Sequence, residues 1–483
     1  MANTLAWTAK IFDGGWVDGG GGTLDVTAPS DGSVVATVGA ADVADLDRAV
    51  AKAARAQKEW AAKPYTERAS VMTRAAELLA DDPERLTRWL VPESGSSHGK
   101  AGAEIGLVLA ELTEAAALAS QPYGQVLRSA KSRFSVGRYV PMGVVGVISP
   151  FNFPSVLSMR SVAPALAVGN AVVLKPDPRT PISGGLILAE IFAEAGLPDG
   201  LLHVLPSGAD VGAALVSHPD VPCISFTGST AAGRRIAEAA APLLKKVHLE
   251  LGGNNAFLVL PDADIEAAAS AGAWGSFLHQ GQICMASGRH LVPEHLAEQY
   301  TAELAKIAAR ITVGDPTDPS NALGPIIDEN QLKRVDGIVQ STVTAGAELA
   351  AGGTFDGLHY RPTVLGNVPK DSPAFTEEIF GPVAPITTYR TVDEAIEIIN
   401  SSEYGLSVAI VTANPFAAYE LADRIRSGAV HINDQTVDDE AVAPFGGVKA
   451  SGSGGHFGTT VNLDTFCDLQ WVTMQSDIQR YPF

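Results

Sequence analysis

Apolar positions along the chain form two kinds of pattern: short unbroken runs, and longer stretches in which they recur at helical spacing. From about residue 42 to 120 the chain is charged and alanine-rich, which predicts long surface helices. Strand-like runs follow at GVVGVIS (143–149), AVVLKP (171–176), LLHVLP (201–206), CISFTG (223–228) and LELGGNNAFLVL (249–260). Between them, SVLSMRSVAPALAVG, GGLILAEIFAEAG and STAAGRRIAEAAAP carry the helical spacing. Strands alternating with such helices imply crossovers in a parallel, doubly wound α/β sheet, the architecture of a dinucleotide-binding domain.

A second α/β series contains RPTVL, PVAPITTY, LSVAIVT and GAVHIN between helices at about 294–309, 329–345 and 415–426. It needs a sheet of its own, so a domain boundary is expected near residue 255. The terminal stretch alternates at Trp471, Thr473 and Gln475 against Val472 and Met474, which suits an edge strand whose partner another subunit could supply.

Composition narrows the class. With 483 residues, 46% of them hydrophobic, the chain can build two or three domains around real cores. Lys+Arg 34 against Asp+Glu 54 gives a net charge of −20, which argues against nucleic acid, because phosphate binding calls for basic surface. No run reaches the roughly 18 apolar residues of a membrane helix. Three cysteines cannot pair completely, and the start of the chain lacks the basic-then-apolar pattern of a secretory signal, so a cytoplasmic setting is expected. No metal is expected.

Several short stretches offer chemistry. HQGQICMASGRH places Cys284 among Gly, Gln and Ser, in what reads as a turn or helix start, where a thiolate could be exposed and stabilised. LELGGNN sets Glu250 at a strand end beside glycines that leave room for water; a solvated loop charge is the other reading. In PFNFP, Asn152 could cap a helix or donate to an oxyanion. EEIFGPV holds Glu378, either a ligand contact or a charge at a domain edge. The GxGxxG fingerprint is absent; TGSTAAGR instead brackets a helix start with Gly228 and Gly233, either a phosphate turn or an ordinary βα turn.

Taken together, PFNFP, LKPDPRTP, FTGSTAAGR, LELGGNN, GQICMASGR, EEIFGPV and PFGGVKASGSG resemble the aldehyde dehydrogenase superfamily, in the same order and over about residues 10 to 480. The resemblance implies an NAD(P)-binding domain of Rossmann type at 1–255, with a small β oligomerisation arm near 120–140. A catalytic α/β domain at 256–450 and a C-terminal segment at 451–483 with an oligomerisation strand complete the expectation.

It also implies roles. Cys284 matches the nucleophile, Glu250 the general base that activates hydrolytic water, and Asn152 an oxyanion donor alongside the Cys284 N–H. A free thiol is only roughly a tenth ionised near neutral pH, so the site must favour either ionisation or proton transfer on demand. Lys175 matches the adenosine-ribose lysine, Gly228, Ser229 and Gly233 the pyrophosphate turn, and Glu378 the nicotinamide-ribose carboxylate. Phe380 matches an aromatic beside the nicotinamide, and Pro150, Phe151, Leu251 and Gly252 complete the expected contacts. NAD is the implied cofactor, with NADP tolerated, because Pro178 stands where NAD-preferring members often carry a glutamate, and Arg179 lies beside it.

The closest resemblance is to the benzaldehyde and vanillin dehydrogenase branch, which implies an aromatic aldehyde substrate lined by Phe153, Leu157 and Phe445. Arg160 leaves a second expectation, since succinate-semialdehyde dehydrogenases place an arginine at that spacing from the asparagine; its other reading is a structural arginine paired with an acid. A non-enzymatic relative of the same fold is the remote alternative, disfavoured by the intact set of Cys284, Glu250, Asn152, Lys175 and Glu378. A CoA-acylating relative would typically lack the glutamate. A homodimer, or a tetramer of two dimers, is the expected assembly.

Overall fold

The computed structural model describes residues 7–483. Two large sheets dominate it. In the first, the strands Leu202–Val204, Ala171–Lys175, Val144–Ile148, Cys223–Thr227 and Lys246–Glu250 run parallel in that spatial order, each a short apolar run buried on both faces or nearly so. Antiparallel strands close its edges, Lys10–Asp13 and Trp16–Asp18 at one side and Gly452–Ser453 at the other. The chain winds outward from Val144–Ile148 first in one direction and then in the other. The resulting switch point, between Val144–Ile148 and Cys223–Thr227, is where open α/β sheets bind ligands beyond their strand ends.

The second sheet orders Glu348–Ala351, Thr363–Gly366, Val383–Tyr389, Ser287–Pro293, Asn255–Val259, Ser407–Val411 and Ala429–Ile432. Only its first strand is antiparallel to its neighbour. The run LELGGNNAFLVL is therefore not one strand. It splits into Lys246–Glu250 of the first sheet and Asn255–Val259 of the second, with residues 251–254 as the crossing. Glycines suit that crossing, where backbone packs closely: a Cβ at Gly253 would stand 2.5 Å from the Cys284 carbonyl oxygen.

The alanine-rich region forms helices Val43–Ala62, Tyr65–Asp81, Glu84–Ser94 and His98–Leu118. The last is not a surface helix. Its Lys100, Glu104 and Glu111 are buried, facing the apolar helix Pro154–Ala167. The terminal strand Cys467–Met474 finds its partner within the same chain: it pairs antiparallel with Phe134–Pro141 from Cys467↔Pro141 to Met474↔Phe134, and Gly124–Val126 adds a third strand. One edge of the strand thus finds its partner within the chain, where the sequence suggested that another subunit could supply one. The other edge of the strand and an exposed apolar set, Leu469, Trp471 and Met474, are left open.

Candidate active site

Strand ends of the first sheet meet strand starts of the second, and the chemical groups gather there. Glu250 is the last residue of its strand; Cys284 sits in a turn three residues before Ser287–Pro293; Asn152 lies between Val144–Ile148 and the helix Pro154–Ala167. A cleft of about 600 Å³ is lined by Asn152, Cys284, Glu378 and Phe380 and also by Lys175, Asp177 and Arg179; Glu250 is not part of its lining but lies near enough for its carboxylate to act on the Cys284 thiol.

Asn152 is buried and donates from Nδ2 to the Gln282 carbonyl at 2.9 Å, two residues before Cys284. An amide carries two hydrogens, so the second remains for an oxyanion. Its backbone carbonyl accepts from Lys100 Nζ at 2.7 Å, and Lys100 also bonds Glu104 at 2.5 Å. Glu104 in turn accepts from the N–H groups of Ser155 (2.8 Å) and Val156 (3.2 Å), a negative charge at the positive end of the helix that follows Asn152. A buried ion pair thus fixes the residues on either side of the donor.

Cys284 is half-buried, and its carbonyl accepts from Asn255 Nδ2 at 2.8 Å. Burial pushes its thiol up to about 12, with the Glu378 and Glu250 carboxylates adding to the effect. Burial thus favours the thiol form, and of the two routes the sequence left open proton transfer on demand fits this environment better. Glu250 is almost fully buried, and burial raises its carboxyl above the ordinary range, while His248, His456 and Arg160 oppose the shift. A carboxylate held high is better matched to accepting a proton near neutrality.

The long cleft suits a dinucleotide. Helix Thr230–Ala240 begins at the switch point, with Gly228, Ser229, Thr230 and Ala231 on the cleft wall. Ser229 Oγ accepts from the Ala232 N–H at 3.3 Å, capping that helix. Gly233 does not line the cleft; a Cβ there would meet Leu251 Cδ1 at 2.9 Å, so this glycine lets helix and crossing segment pack. Lys175 is buried, with Nζ donating to the Pro176 carbonyl at 3.2 Å, and burial lowers its pKa. Pro150, Phe151, Leu251 and Gly252 all face the cleft. At the far end, Glu378 accepts from the Gly253 N–H at 3.0 Å, and burial lifts its carboxyl to about 7. Phe380 holds a left-handed φ of 54°, a strained conformation that turns its ring edge toward Phe151 at 5.9 Å.

The aldehyde dehydrogenase family model matches residues 16–472. The chain belongs to the aldehyde dehydrogenase family. It is 54% identical to a vanillin dehydrogenase of an Amycolatopsis strain and 49% identical to a benzaldehyde dehydrogenase [NAD(+)] of Pseudomonas putida, each alignment covering 99% of this chain and 98% of the relative. It superimposes on a Bacillus cereus aldehyde dehydrogenase, solved as its NAD+ complex, with a TM-score of 0.94 at 33% identity, covering 97% of this chain and 96% of that one. The protein is thus an aldehyde dehydrogenase by family, an oxidoreductase with the fold its sequence motifs implied.

Within this dehydrogenase, Ile283, Met285 and Leu406 form a small apolar cluster against which Cys284, Phe153, Leu278, Val437 and Phe445 all pack, although Phe153 and Phe445 do not line the cleft itself. Leu157 reaches the cleft from the helix. Arg160 does not present a free charge. It is 2% exposed, donates from Nε to Glu111 at 3.0 Å, pairs with Asp439 through Nη2, and lies 4.6 Å over the Phe445 ring. Arg179 is similarly engaged. Asp177 accepts from its Nε and Nη2 at 2.9 Å each, Asp328 from its Nη1 at 2.7 Å, and the guanidinium covers the Phe151 ring at 4.1 Å.

The sequence reading missed Lys100, Glu104, Glu111, Asp177, His248, Asp439 and His456. A signal existed for the first three. They stand four and then seven residues apart on the face that also carries Ile105, Val108 and Leu112, where a charge must find a buried partner. Asp177 lay in plain view in LKPDPRTP, where attention went to Pro178.

Proposed function

We propose that this aldehyde dehydrogenase oxidises an aromatic aldehyde to its carboxylate with NAD. The observation that carries the reading is that Cys284 and Asn152 share the wall of a dinucleotide-sized cleft, with the buried Glu250 carboxylate close enough to act on the Cys284 thiol. Cys284 Sγ attacks the aldehyde carbon as its proton passes to water, and the carbonyl oxygen becomes an oxyanion held by the Asn152 amide and the Cys284 N–H; re-forming the carbon–oxygen double bond then expels hydride and leaves a thioester. A nicotinamide bound beside Phe380 supplies the hydride acceptor. Glu250 then takes a proton from water as the water oxygen bonds to the acyl carbon and the carbon–sulfur bond breaks. Lys175, Ser229 and Glu378 hold the cofactor in position; the raised carboxyl of Glu378 is suited to sharing protons with ribose hydroxyls.

The aromatic preference is supported by the vanillin and benzaldehyde relatives and by the phenylalanine-lined side of Cys284. Arg160 argues against an anionic substrate such as succinate semialdehyde, since two carboxylates already balance its charge. NAD over NADP is supported by Asp177, which occupies Arg179 and puts a carboxylate on the cleft wall. A homodimer, alone or paired, is supported by the exposed Leu469, Trp471 and Met474 on the small three-stranded sheet. The unpaired thiols Cys223, Cys284 and Cys467 suit the cytoplasm, and no described helix is long and apolar enough to cross a membrane. The test is kcat/KM for benzaldehyde, vanillin, succinate semialdehyde and a short aliphatic aldehyde, with NAD and with NADP. The aromatic aldehydes with NAD should lead by tenfold or more, about 1.4 kcal/mol.

A further inference from the structure

Cys284 faces two ways. On one side it lines the cofactor cleft; on the other it packs, with Phe153, Val437 and Phe445, against Ile283, Met285 and Leu406. Phe153, Val437 and Phe445 are half-buried and none of them lines the cleft. With a dinucleotide in the cleft, this second side is the one left for the aldehyde.

The polar group on that side is Asp439. It lies two residues after Val437, between the exposed Asp438 and Glu440, yet its own side chain turns inward and is only 10% exposed. Oδ2 pairs with Arg160 Nη2, and the Arg160 guanidinium lies 4.6 Å from the centre of the Phe445 ring, which sets the carboxylate beside that aromatic wall. Its charge reaches the Cys284 thiol, adding to the upward push of burial, Glu378 and Glu250 while Arg160 opposes them. Asp439 Oδ1 is buried and has no hydrogen-bond partner among the described residues. A buried acceptor left unpaired is costly until a donor reaches it. The group that answers it must be a neutral donor, because Glu111 and Asp439 already set two carboxylates against the one Arg160 guanidinium.

We propose that Asp439 is a specificity-determining residue that accepts a hydrogen bond from the ring hydroxyl of a phenolic aldehyde. The inference rests on the aromatic-aldehyde reading and deepens it, naming hydroxybenzaldehydes as the preferred class. A rigid ring carries the aldehyde carbon at one end and the hydroxyl at another, and the site presents a fixed group to each, Cys284 Sγ and Asp439 Oδ1. The phenol donates its one hydrogen to Oδ1. A methyl ether has none to give, leaves Oδ1 unsatisfied and presses a methyl group against it. A substrate carboxylate in the same place would add a third negative charge to the trio.

The experiment uses the full-length enzyme with NAD and measures kcat/KM for 4-hydroxybenzaldehyde, 3-hydroxybenzaldehyde, 4-methoxybenzaldehyde, benzaldehyde and a short aliphatic aldehyde, in the wild type, Asp439→Asn and Asp439→Ala. Glu111 still holds Arg160 in both variants, and a ratio between substrates on one protein cancels any loss of folded enzyme. The wild type should favour one of the hydroxybenzaldehydes over 4-methoxybenzaldehyde by about tenfold to a hundredfold, and the advantage should fall to within about threefold in both variants. An advantage missing from the wild type, or kept in the variants, overturns the proposal. An equal drop for every aromatic aldehyde also overturns it, because Asp439 is then only a counter-ion of Arg160. If the wild type oxidises no aromatic aldehyde faster than the aliphatic one, the aromatic reading itself has failed; if it oxidises benzaldehyde well with no hydroxyl advantage, the role of Asp439 alone has failed.

Discussion

Lys100 donates to the carbonyl of Asn152 at 2.7 Å across 52 residues of chain, tying an interior helix to the proposed oxyanion donor. Both Lys100 and its partner Glu104 are buried, so Lys100→Met strands a carboxylate in the core. A loss of about 3–5 kcal/mol in stability is expected, and the surviving fold should show a lower kcat from a loosened Asn152. Chemical denaturation and steady-state kinetics check both. An unchanged kcat in a destabilised variant would separate the ion pair from the donor.

Arg160 is held by Glu111 and Asp439, so its removal should hurt all substrates alike. Arg160→Ala is expected to lower stability by about 3–5 kcal/mol and to reduce kcat/KM for benzaldehyde and succinate semialdehyde by similar factors. A selective loss of tenfold or more for succinate semialdehyde would mean that the guanidinium binds the substrate's carboxylate after all.

Asp177 should set the cofactor preference. Asp177→Ser removes a carboxylate from the cleft wall and releases Arg179 toward the ribose, so the NADP-to-NAD ratio of kcat/KM should rise about tenfold, or about 1.4 kcal/mol. An unchanged ratio would place the discrimination elsewhere.

The raised thiol of Cys284 has a pH signature. Its pKa in the free enzyme moves upward to about 12, so the thiolate fraction is small at neutrality and climbs throughout the alkaline range. Alkylation by iodoacetamide should accelerate about tenfold per pH unit with no plateau below pH 9 or so. A plateau near neutrality would show a thiolate stabilised by its turn.

Much of this was readable from the residues. Parallel strands such as AVVLK and CISFT announce themselves as unbroken apolar runs, since both faces are covered, and the family motifs pointed to Cys284, Asn152 and Glu378, which the fold brings to one cleft. What escaped was set by tertiary contact. LELGGNNAFLVL reads as one strand because apolar periodicity carries no record of which sheet each half joins. The sequence left two readings of Arg160 open, and NADP open at Arg179, because their acids lie far along the chain, at Glu111, Asp439 and Asp328, or were passed over, as Asp177 was. His456 sits in a glycine-rich loop and comes into the neighbourhood of Glu250 only when the chain returns as the last strand of the first sheet.

The central claim is a division of labour between Cys284 and Glu250, and rapid mixing of enzyme, benzaldehyde and NAD tests it directly. Cys284→Ala should give no reduced cofactor. Glu250→Gln should give a first-turnover burst close to one equivalent per active site and then stall as a stable acyl-enzyme. Steady turnover in Cys284→Ala, or burst-free turnover at the normal rate in Glu250→Gln, would contradict the account.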